Sequence, residues 1–352
     1  MAAAAEEVWQ ALWPRESPAP VRTVGCRHCG QRNRVEVPRA VMQPERHDCG
    51  ACGRRLFLAK DEPLVGLAPE AYQHCLDKRS VAALGSVPGV PALVEWALAS
   101  IGDRTAQIMF MADTIQCSAE QFPELIALVD RARARLDIEF RPTVYLGESP
   151  HMNALTTGVN SPVIVVRSAL LDQMQDDEVL AILGHELGHL HAGHPLYQGV
   201  ANALLSAGTM ASSALRLASL PIQRLLLRWL RHAELTADRA ALLASRDLSA
   251  CINVMLTFAG GNRPGTARRT QMRLGPFVRQ CRELATWQAT RPLDSVLGTY
   301  VSMDRTHPHV AARVVELIRW VEYGNYLNIL GGQYLRRVGT AGKLELPEAR
   351  AP

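Results

Sequence analysis

The residues of this chain best suited to chemistry lie in one stretch, residues 184–194, which reads GHELGHLHAGH. Within it, His185, Glu186 and His189 form the pattern H-E-x-x-H. Residues four apart lie on one face of an α-helix, so both imidazoles can reach the same metal ion. Glu186 stands beside the first of them, where its carboxylate can take a proton from a metal-bound water molecule. The spacing therefore predicts a hydrolytic metal site.

The flanking sequence predicts that this motif lies on a buried helix. Consecutive acidic residues at 176–178 would stabilise the first turn of such a helix. An apolar stripe at helical spacing, which can pack against a core, is formed by Leu180, Leu183, Leu187 and Leu190. The alternative interpretation is an ordinary helix that carries two surface histidines and no metal.

A catalytic zinc site needs a third protein ligand, with water in the remaining position. His194 is the nearest candidate, but it lies nine positions after His185. The extended pattern H-E-x-x-H-x-x-G-x-x-H requires a glycine at position seven and a histidine at position ten. This chain has His191, Gly193 and Pro195 at positions six, eight and ten, so the extended pattern is not met.

A glutamate from a second helix is the alternative third ligand. Residues 231–243, RHAELTADRAALL, have a helical composition, and Glu234 and Asp238 are four apart within them. Glu234 can bind the metal, while Asp238 can hold a ligand histidine through its other ring nitrogen. The competing interpretation is a solvated acidic face with Arg231 and Arg239 alongside.

Taken together, these motifs resemble a known family. H-E-L-G-H followed by E-L-T-A-D is similar to the HtpX-like and CAAX-prenyl-protease-type zinc metallopeptidases, over about residues 67–337. Residues 150–158, PHMNALTTG, resemble the family's N-A-x-x-x-G stretch, and residues 307–313, HPHVAAR, resemble its late H-P-x-x-x-x-R. The resemblance implies an α+β fold: a mostly helical zincin (gluzincin) domain with a small β-sheet beside the zinc helix.

The resemblance also implies roles for individual residues. It makes His185, His189 and Glu234 the ligands of one catalytic zinc ion, with Glu186 catalytic and Asp238 behind a ligand histidine. His307 would face the zinc, where it steadies the oxyanion or occupies the open position at rest. The alternative for His307 is a structural histidine before a proline.

Three further residues are candidates for substrate binding. Arg313 would hold a carboxylate or carbonyl in the same wall as His307. Strands are predicted over 142–147, 155–159 and 163–167, the last two as a hairpin, and a sheet edge can pair with an extended substrate. Asn153 and Ala154 would line that edge, although a turn-forming asparagine is the alternative.

Four of the eight cysteines form two C-x-x-C pairs, Cys26 with Cys29 and Cys49 with Cys52. A glycine follows each pair and lets the chain turn back, so that backbone N–H groups can point at the thiolates. Nineteen residues separate the pairs, which is typical of a four-cysteine zinc ribbon. Such a site is closed and therefore structural; a rubredoxin-like iron site or redox thiols are the alternatives.

The length of 352 residues leaves room for a large core and a small module. We expect a flexible segment at 1–20, a small β zinc ribbon at 21–60, a metallopeptidase domain at 63–337 and a disordered tail at 338–352. A last helical segment is predicted for 320–337, and Met109 and Met111 are expected to fill the core.

Charge does not identify a partner, because the net charge of +4 is small. Residues 21–56 contain eight arginines against three acidic residues, but zinc with four thiolates carries −2. Interleaved aromatic residues, on which bases could stack, are absent from this stretch. These features favour a protein partner at the ribbon over nucleic acid.

Location is predicted from the N-terminus and from residues 195–231. The start MAAAAEEVWQALW lacks a basic region and a long apolar run, so we expect no signal peptide and a cytoplasmic protein. Residues 195–215 carry no charge, and Arg224, Arg228 and Arg231 follow at helical spacing. Packed helices, peripheral contact with the inner face of a membrane, or a membrane span are the three alternatives.

The sequence therefore predicts a zinc metalloendopeptidase with one catalytic and one structural zinc ion. The resemblance implies unfolded or damaged proteins as substrates, and hence a role in protein quality control. The alternative is a latent or non-catalytic zinc-binding adaptor, similar to a chaperone, whose ribbon recruits a partner.

Overall fold

A computed structural model describes residues 12–13, 18–87, 90, 103–201, 213–261, 272–293, 306–338 and 343–345. The fold is α+β, with long helices and three small sheets among these residues. The strands are β1 (Val21–Gly25), β2 (Arg32–Glu36), β3 (Ile115–Gln116), β4 (Thr143–Gly147), β5 (Ala154–Thr157), β6 (Val163–Arg167), β7 (Arg336–Val338) and β8 (Lys343–Glu345). The helices are α1 (Val37–Met42), α2 (Cys75–Gly85), α3 (Asp103–Asp113), α4 (Pro123–Arg135), α5 (Ser168–Gln173), α6 (Asp176–His191), α7 (Ser213–Ser245), α8 (Leu248–Gly260), α9 (Leu274–Thr290), α10 (Val310–Tyr323) and α11 (Tyr326–Leu330).

The helix α6 carries the H-E-x-x-H motif and begins with the predicted acidic turn. Gln175 and Glu178 form a capping box, in which the Glu178 carboxylate accepts the Gln175 backbone N–H at 3.0 Å. This pairing satisfies donors that a helix start otherwise leaves open. The four leucines of the predicted stripe are buried, so the apolar face of α6 packs into the core as expected.

Two glycines let α6 approach α7 closely. A Cβ on Gly184 would lie 2.5 Å from Ala244 Cβ, and one on Gly188 would lie 2.4 Å from Ala240 Cβ. Either distance is too short for two carbon atoms, so only glycine fits at these positions. Each glycine directly precedes a histidine of the motif, and the close helix contact therefore brings both histidines to α7.

The small sheet beside α6 has the strand order β3-β4-β6-β5, with β4 parallel to β6 and β5 antiparallel to it. The predicted hairpin is confirmed, but its first strand ends at Thr157. Gly158 follows with φ of +86°, and a Cβ there would lie 2.2 Å from the Ser161 carbonyl oxygen. The turn thus begins earlier than the apolar pattern suggests, and β5 remains at the edge of the sheet.

The ribbon hairpin packs on the C-terminal helices. The strands β1 and β2 pair antiparallel, and Arg22 Nη2 donates to the Gly324 carbonyl oxygen at 3.0 Å. The Leu58 backbone N–H donates to the Leu330 carbonyl oxygen at 2.8 Å. Cys26 and Cys49 belong to the same buried apolar cluster as the leucines of α6. The four-cysteine unit therefore packs on the main core through Cys26 and Cys49, while Cys29 and Cys52 are exposed.

The C-terminal region differs from the sequence-based prediction. The helical segment predicted for 320–337 ends at Leu330, because Gly332 adopts a φ of +81° that an α-helix does not allow. The strand β7 follows, and the Arg337 backbone N–H donates to the Gly66 carbonyl oxygen at 2.8 Å. β7 also pairs with β8, which lies inside the tail predicted to be disordered.

Two further sequence-based expectations concern apolar segments. Met109 and Met111 are 62% and 64% exposed, so the expectation that they fill the core was wrong. Among the helices that the structure describes, none is both long and apolar enough to cross a membrane. Residues 202–212 of the uncharged stretch lie outside the described residues.

Candidate zinc site and active-site cleft

Three predicted ligand side chains converge where α6 meets α7. The Nε2 atoms of His185 and His189 are 3.2 Å apart, and each lies 3.4 Å from a carboxylate oxygen of Glu234. One ligand atom from each residue lies within 4.8 Å of the others, which permits all three to bind one ion. Two imidazoles and one carboxylate are a donor set of catalytic zinc sites, so the residues present fit zinc.

Asp238 supports His185 from the far side of its ring. His185 Nδ1 lies 3.2 Å from Asp238 Oδ1, as predicted for the carboxylate behind a ligand histidine. Arg313 donates to both oxygens of Asp238, at 2.9 and 2.6 Å. Although burial favours the neutral acid, this guanidinium and His185 hold the pKa of Asp238 below its usual value. Asp238 is therefore ionised and fixes the ring of His185.

Glu186 points into the same cleft and is 7% exposed. Burial raises the pKa of this carboxyl to about 7, and the nearby charge of Glu234 acts in the same direction, whereas His185 opposes it. A carboxylate with a pKa near neutrality is suited to accept and return a proton.

His307 and Arg313 both reach Glu234. His307 Nδ1 lies 3.1 Å from Glu234 Oε1, and its side chain is 67% exposed. Arg313 Nη1 lies 3.4 Å from Glu234 Oε2, while its other nitrogens bind Asp238. Although burial opposes it, hydrogen bonds from His185 and His189, followed by that from His307, hold the pKa of Glu234 well below its usual value. Arg313 thus contacts the carboxylates of the site as well as lining the cleft.

The cleft itself has a volume of about 1640 Å³ and contains all the predicted catalytic-site residues. Asn153 and Ala154 line it at the start of the edge strand β5, as the sequence predicts. Its wall is otherwise largely apolar, with side chains contributed by Met109, Phe110, Met152, Phe258, Leu284 and Trp287. An extended chain could therefore lie along β5 with apolar side chains against this wall.

His189, the second predicted ligand histidine, has a supporting network that sequence reasoning missed. His189 Nδ1 lies 2.8 Å from His194 Nδ1, and His194 Nε2 lies 3.1 Å from Asp77 Oδ2. Thr236 and Trp229 also donate to Asp77, at 2.8 and 3.0 Å. His194 was considered only as a ligand, and no sequence motif marks Asp77, which lies on α2 more than a hundred residues earlier.

The four ribbon cysteines form a second candidate metal site. Cys26 Sγ lies 3.7 Å from Cys52 Sγ, and Cys29 Sγ lies 3.6 Å from Cys49 Sγ. Each C-x-x-C pair turns back through its glycine, Gly30 or Gly53, at φ of +76° or +69°. Backbone N–H groups of Cys52 and Ala51 lower the pKa of Cys49 to about 6. The pKa of Cys29 is raised instead: a backbone hydrogen bond at Gln31 opposes this shift, but burial and the neighbouring thiols outweigh it. All four sulfurs can bind one ion and leave no open position.

The sequence of this chain is similar to those of known metallopeptidases. The sequence profile of peptidase family M48 matches residues 119–321. The chain is 32% identical to "Plastoglobule-localized metallopeptidase 48, chloroplastic" of Arabidopsis thaliana, over 75% of this chain and 76% of that protein. It is 34% identical to a "Protease HtpX homolog" of Salinibacter ruber, over 30% of this chain and 38% of that protein. A second "Protease HtpX homolog", from Streptococcus gordonii, is 32% identical over 34% of this chain and 40% of its own length. The match thus spans well under half of these two HtpX homologues, and no solved structure matches.

Proposed function

The chain belongs to peptidase family M48 and is a zinc metallopeptidase, and we propose that it hydrolyses internal peptide bonds of protein substrates in the cleft beside α6. The catalytic zinc ion would be held by His185, His189 and Glu234. The observation that supports this assignment is the convergence of their three ligand atoms at a cleft that also contains Glu186.

The proposed mechanism assigns a separate task to each side chain. When bound, zinc supplies Lewis-acid activation of the attacking water and of the scissile carbonyl. Glu186 takes the proton of that water and delivers it to the leaving amine. His307, exposed at the cleft, donates to the oxyanion. Asp238 and Arg313 keep His185 in place throughout.

The proposed substrates are unfolded or damaged proteins. The cleft has a large, mostly apolar wall and an edge strand able to pair with an extended backbone. Folded proteins bury most of their large apolar side chains and have few extended free segments, whereas unfolded ones expose both. This preference is the basis for proposing a role in protein quality control.

Location, partners and the second metal ion belong to the same proposal. A second zinc ion at the four cysteines, with a structural role, is supported by their clustering. Cysteines used for metal binding favour a reducing compartment, and we therefore propose that the protease works inside the cell. Contact with a membrane through residues 195–231 and a protein partner at the ribbon remain predictions; Arg224 and Arg228 are exposed on α7.

The decisive test compares Glu186→Gln with wild-type protein for metal content and cleavage of casein. We expect Glu186→Gln to retain both zinc ions and to lose about 100- to 10,000-fold in cleavage rate, because the base is removed and the ligands are not. Glu283→Gln, the same change at an exposed position of α9, is the matched control. Normal cleavage by Glu186→Gln would refute the mechanism.

A second variant tests the ligand set. Glu234→Ala should lower the zinc content from two ions per chain to one and abolish cleavage. Two zinc ions in wild-type protein without any cleavage would instead favour the alternative, a latent or non-catalytic adaptor. The contact of His307 with Glu234 is the observation that favours this alternative, because it places an imidazole beside a proposed ligand.

A further inference from the structure

We propose that Asp77 and His194 are positioning residues that fix the ring tautomer and orientation of His189, and thereby the affinity of the catalytic site for zinc. The inference rests on the proposed ligand role of His189. Asp77 lies on helix α2, which precedes the region matched by the peptidase family, whereas His194 lies within that region.

Asp77 acts only as a hydrogen-bond acceptor. Its side chain is fully buried, and Trp229 donates to Oδ1 at 3.0 Å. Thr236 donates to Oδ2 at 2.8 Å, and its hydroxyl oxygen in turn accepts the His74 backbone N–H at 3.0 Å. Gln73 supplies a further donor at 3.2 Å. A buried carboxylate surrounded by donors is held as an anion.

The acceptor role of Asp77 fixes the proton positions on His194 and, through it, on His189. His194 Nε2, 3.1 Å from Asp77 Oδ2, must donate, so in the neutral ring Nδ1 of His194 is left as an acceptor. His189 Nδ1, 2.8 Å away, must then carry the proton and donate it. The lone pair of His189 is consequently on Nε2, which is the atom that faces His185 and Glu234.

Burial stabilises the chain of hydrogen bonds from His189 through His194 to Asp77. The exposed fractions of His189 and His194 are 3% and 2%, so water does not compete for these bonds. His194 also stands edge-on to Trp229, with ring centroids 5.8 Å apart. Both proposed ligand histidines thus have a carboxylate behind them: His185 contacts Asp238 directly, and His189 reaches Asp77 through His194. Such outer contacts orient ligands and raise their basicity.

The variants that test the inference are Asp77→Asn, His194→Phe and the double variant. The readout is the affinity of the catalytic site for zinc, measured by competition with a chromophoric chelator, while zinc held by thiolates is quantified separately. Each single variant should weaken this affinity about 10- to 100-fold. The double variant should be no worse than His194→Phe alone, because Asp77 acts only through His194.

Ser80→Ala is the matched control. Ser80 is buried on α2 and its hydroxyl lies 2.7 Å from His232 Nδ1 on α7, so it bridges the same two helices outside the network. This variant should lower the unfolding temperature of the zinc-free protein and leave the zinc affinity unchanged. Wild-type affinity in Asp77→Asn and His194→Phe, or effects that add in the double variant, would overturn the inference.

Wild-type protein provides a test that needs no substitution. Histidine ¹⁵N NMR spectra of the zinc-loaded chain should show His194 as the Nε2–H tautomer and His189 protonated on Nδ1. An Nδ1–H tautomer of His194 would refute the inference. Failure of the proposed function would look different, since wild-type protein would then bind no zinc that depends on Glu234.

Discussion

The four-cysteine site of the ribbon and the candidate zinc site of the cleft are built in opposite ways. The ribbon would take all four ligands from two short turns that are close in sequence, and the backbone N–H groups of His28 and Ala51 donate to the sulfurs of Cys26 and Cys49. The cleft would take its ligands from two helices, and side chains from α2, α7 and α10 support them. The closed site is held by groups that are near in sequence, whereas the open site is held by side chains from distant parts of the fold. This difference is expected, because an open site must keep one metal position free for chemistry.

The largest expected effect tests whether the ribbon is independent of the protease. Cys49→Ser removes a buried ligand, and the ribbon shares the main core, so we expect the loss of one zinc ion and a drop in stability of several kcal/mol for the entire chain. Thermal unfolding and zinc content measure this, with Cys75→Ser, at an exposed cysteine, as control. An unfolding curve that loses only a small separate transition would show that the two sites are uncoupled.

The contact between α6 and α7 gives the next largest effect. Gly188→Ala places a methyl group 2.4 Å from Ala240 Cβ, which should separate the helices and cost about 1–3 kcal/mol. The proposed ligands of α6, His185 and His189, meet Glu234 of α7 across this contact. The zinc affinity of the cleft should therefore fall as well, while the ribbon keeps its zinc. Gly199→Ala, where an added Cβ meets no atom within 4 Å, is the control. Unchanged zinc affinity in Gly188→Ala would contradict this dependence.

Asp238→Asn should act on the cleft alone. The amide cannot match the charge that holds His185 and pairs with Arg313, so zinc affinity there should fall about 10- to 100-fold. The four-cysteine site should keep its zinc. Chelator competition resolves the two sites, and a parallel loss at the ribbon would mean that the variant is globally unfolded.

The smallest effect is expected at the outer contacts of the ribbon. Asn33 Nδ2 lies 3.6 Å from Cys49 Sγ, and its side-chain oxygen accepts the Gly50 backbone N–H at 3.0 Å. Asn33→Ala should cost about 1 kcal/mol and leave the zinc content at the ribbon unchanged, because backbone donors remain. Loss of ribbon zinc in this variant would show that side chains matter there as much as in the cleft.

Features marked by sequence motifs could be predicted, whereas contacts between distant residues that no motif marks could not. The ribbon and the helix α6 were predicted because their information is local: C-x-x-C-G pairs, an acidic first turn and a leucine stripe. The contact between His185 and Asp238 was predicted from two motifs, H-E-x-x-H and the E-L-T-A-D that follows it. Asp77 was not, because a single aspartate on an amphipathic helix has no distinguishing pattern until the fold places it beside His194.

Two predictions, the helix at residues 331–337 and the burial of Met109 and Met111, were wrong because they used local composition alone. Residues 331–337 have a composition compatible with a helix, but pairing of β7 with residues near Gly66 determines their conformation. Met109 and Met111 are apolar and were expected inside, yet their helix α3 leaves them exposed, and Met109 lines the cleft. For β7 a distant part of the chain overrides a local preference, whereas the two methionines show that an apolar residue type does not by itself determine burial.

The packing of β1 on the C-terminal helices has a consequence for synthesis. Arg22 and its acceptor Gly324 are 302 positions apart, so the ribbon leaves the ribosome long before the surface on which it docks. His307 and Arg313 are also made late, after both motif helices. A nascent chain of this protease therefore contains all four ribbon cysteines well before its cleft is complete, because α10 is made after both motif helices.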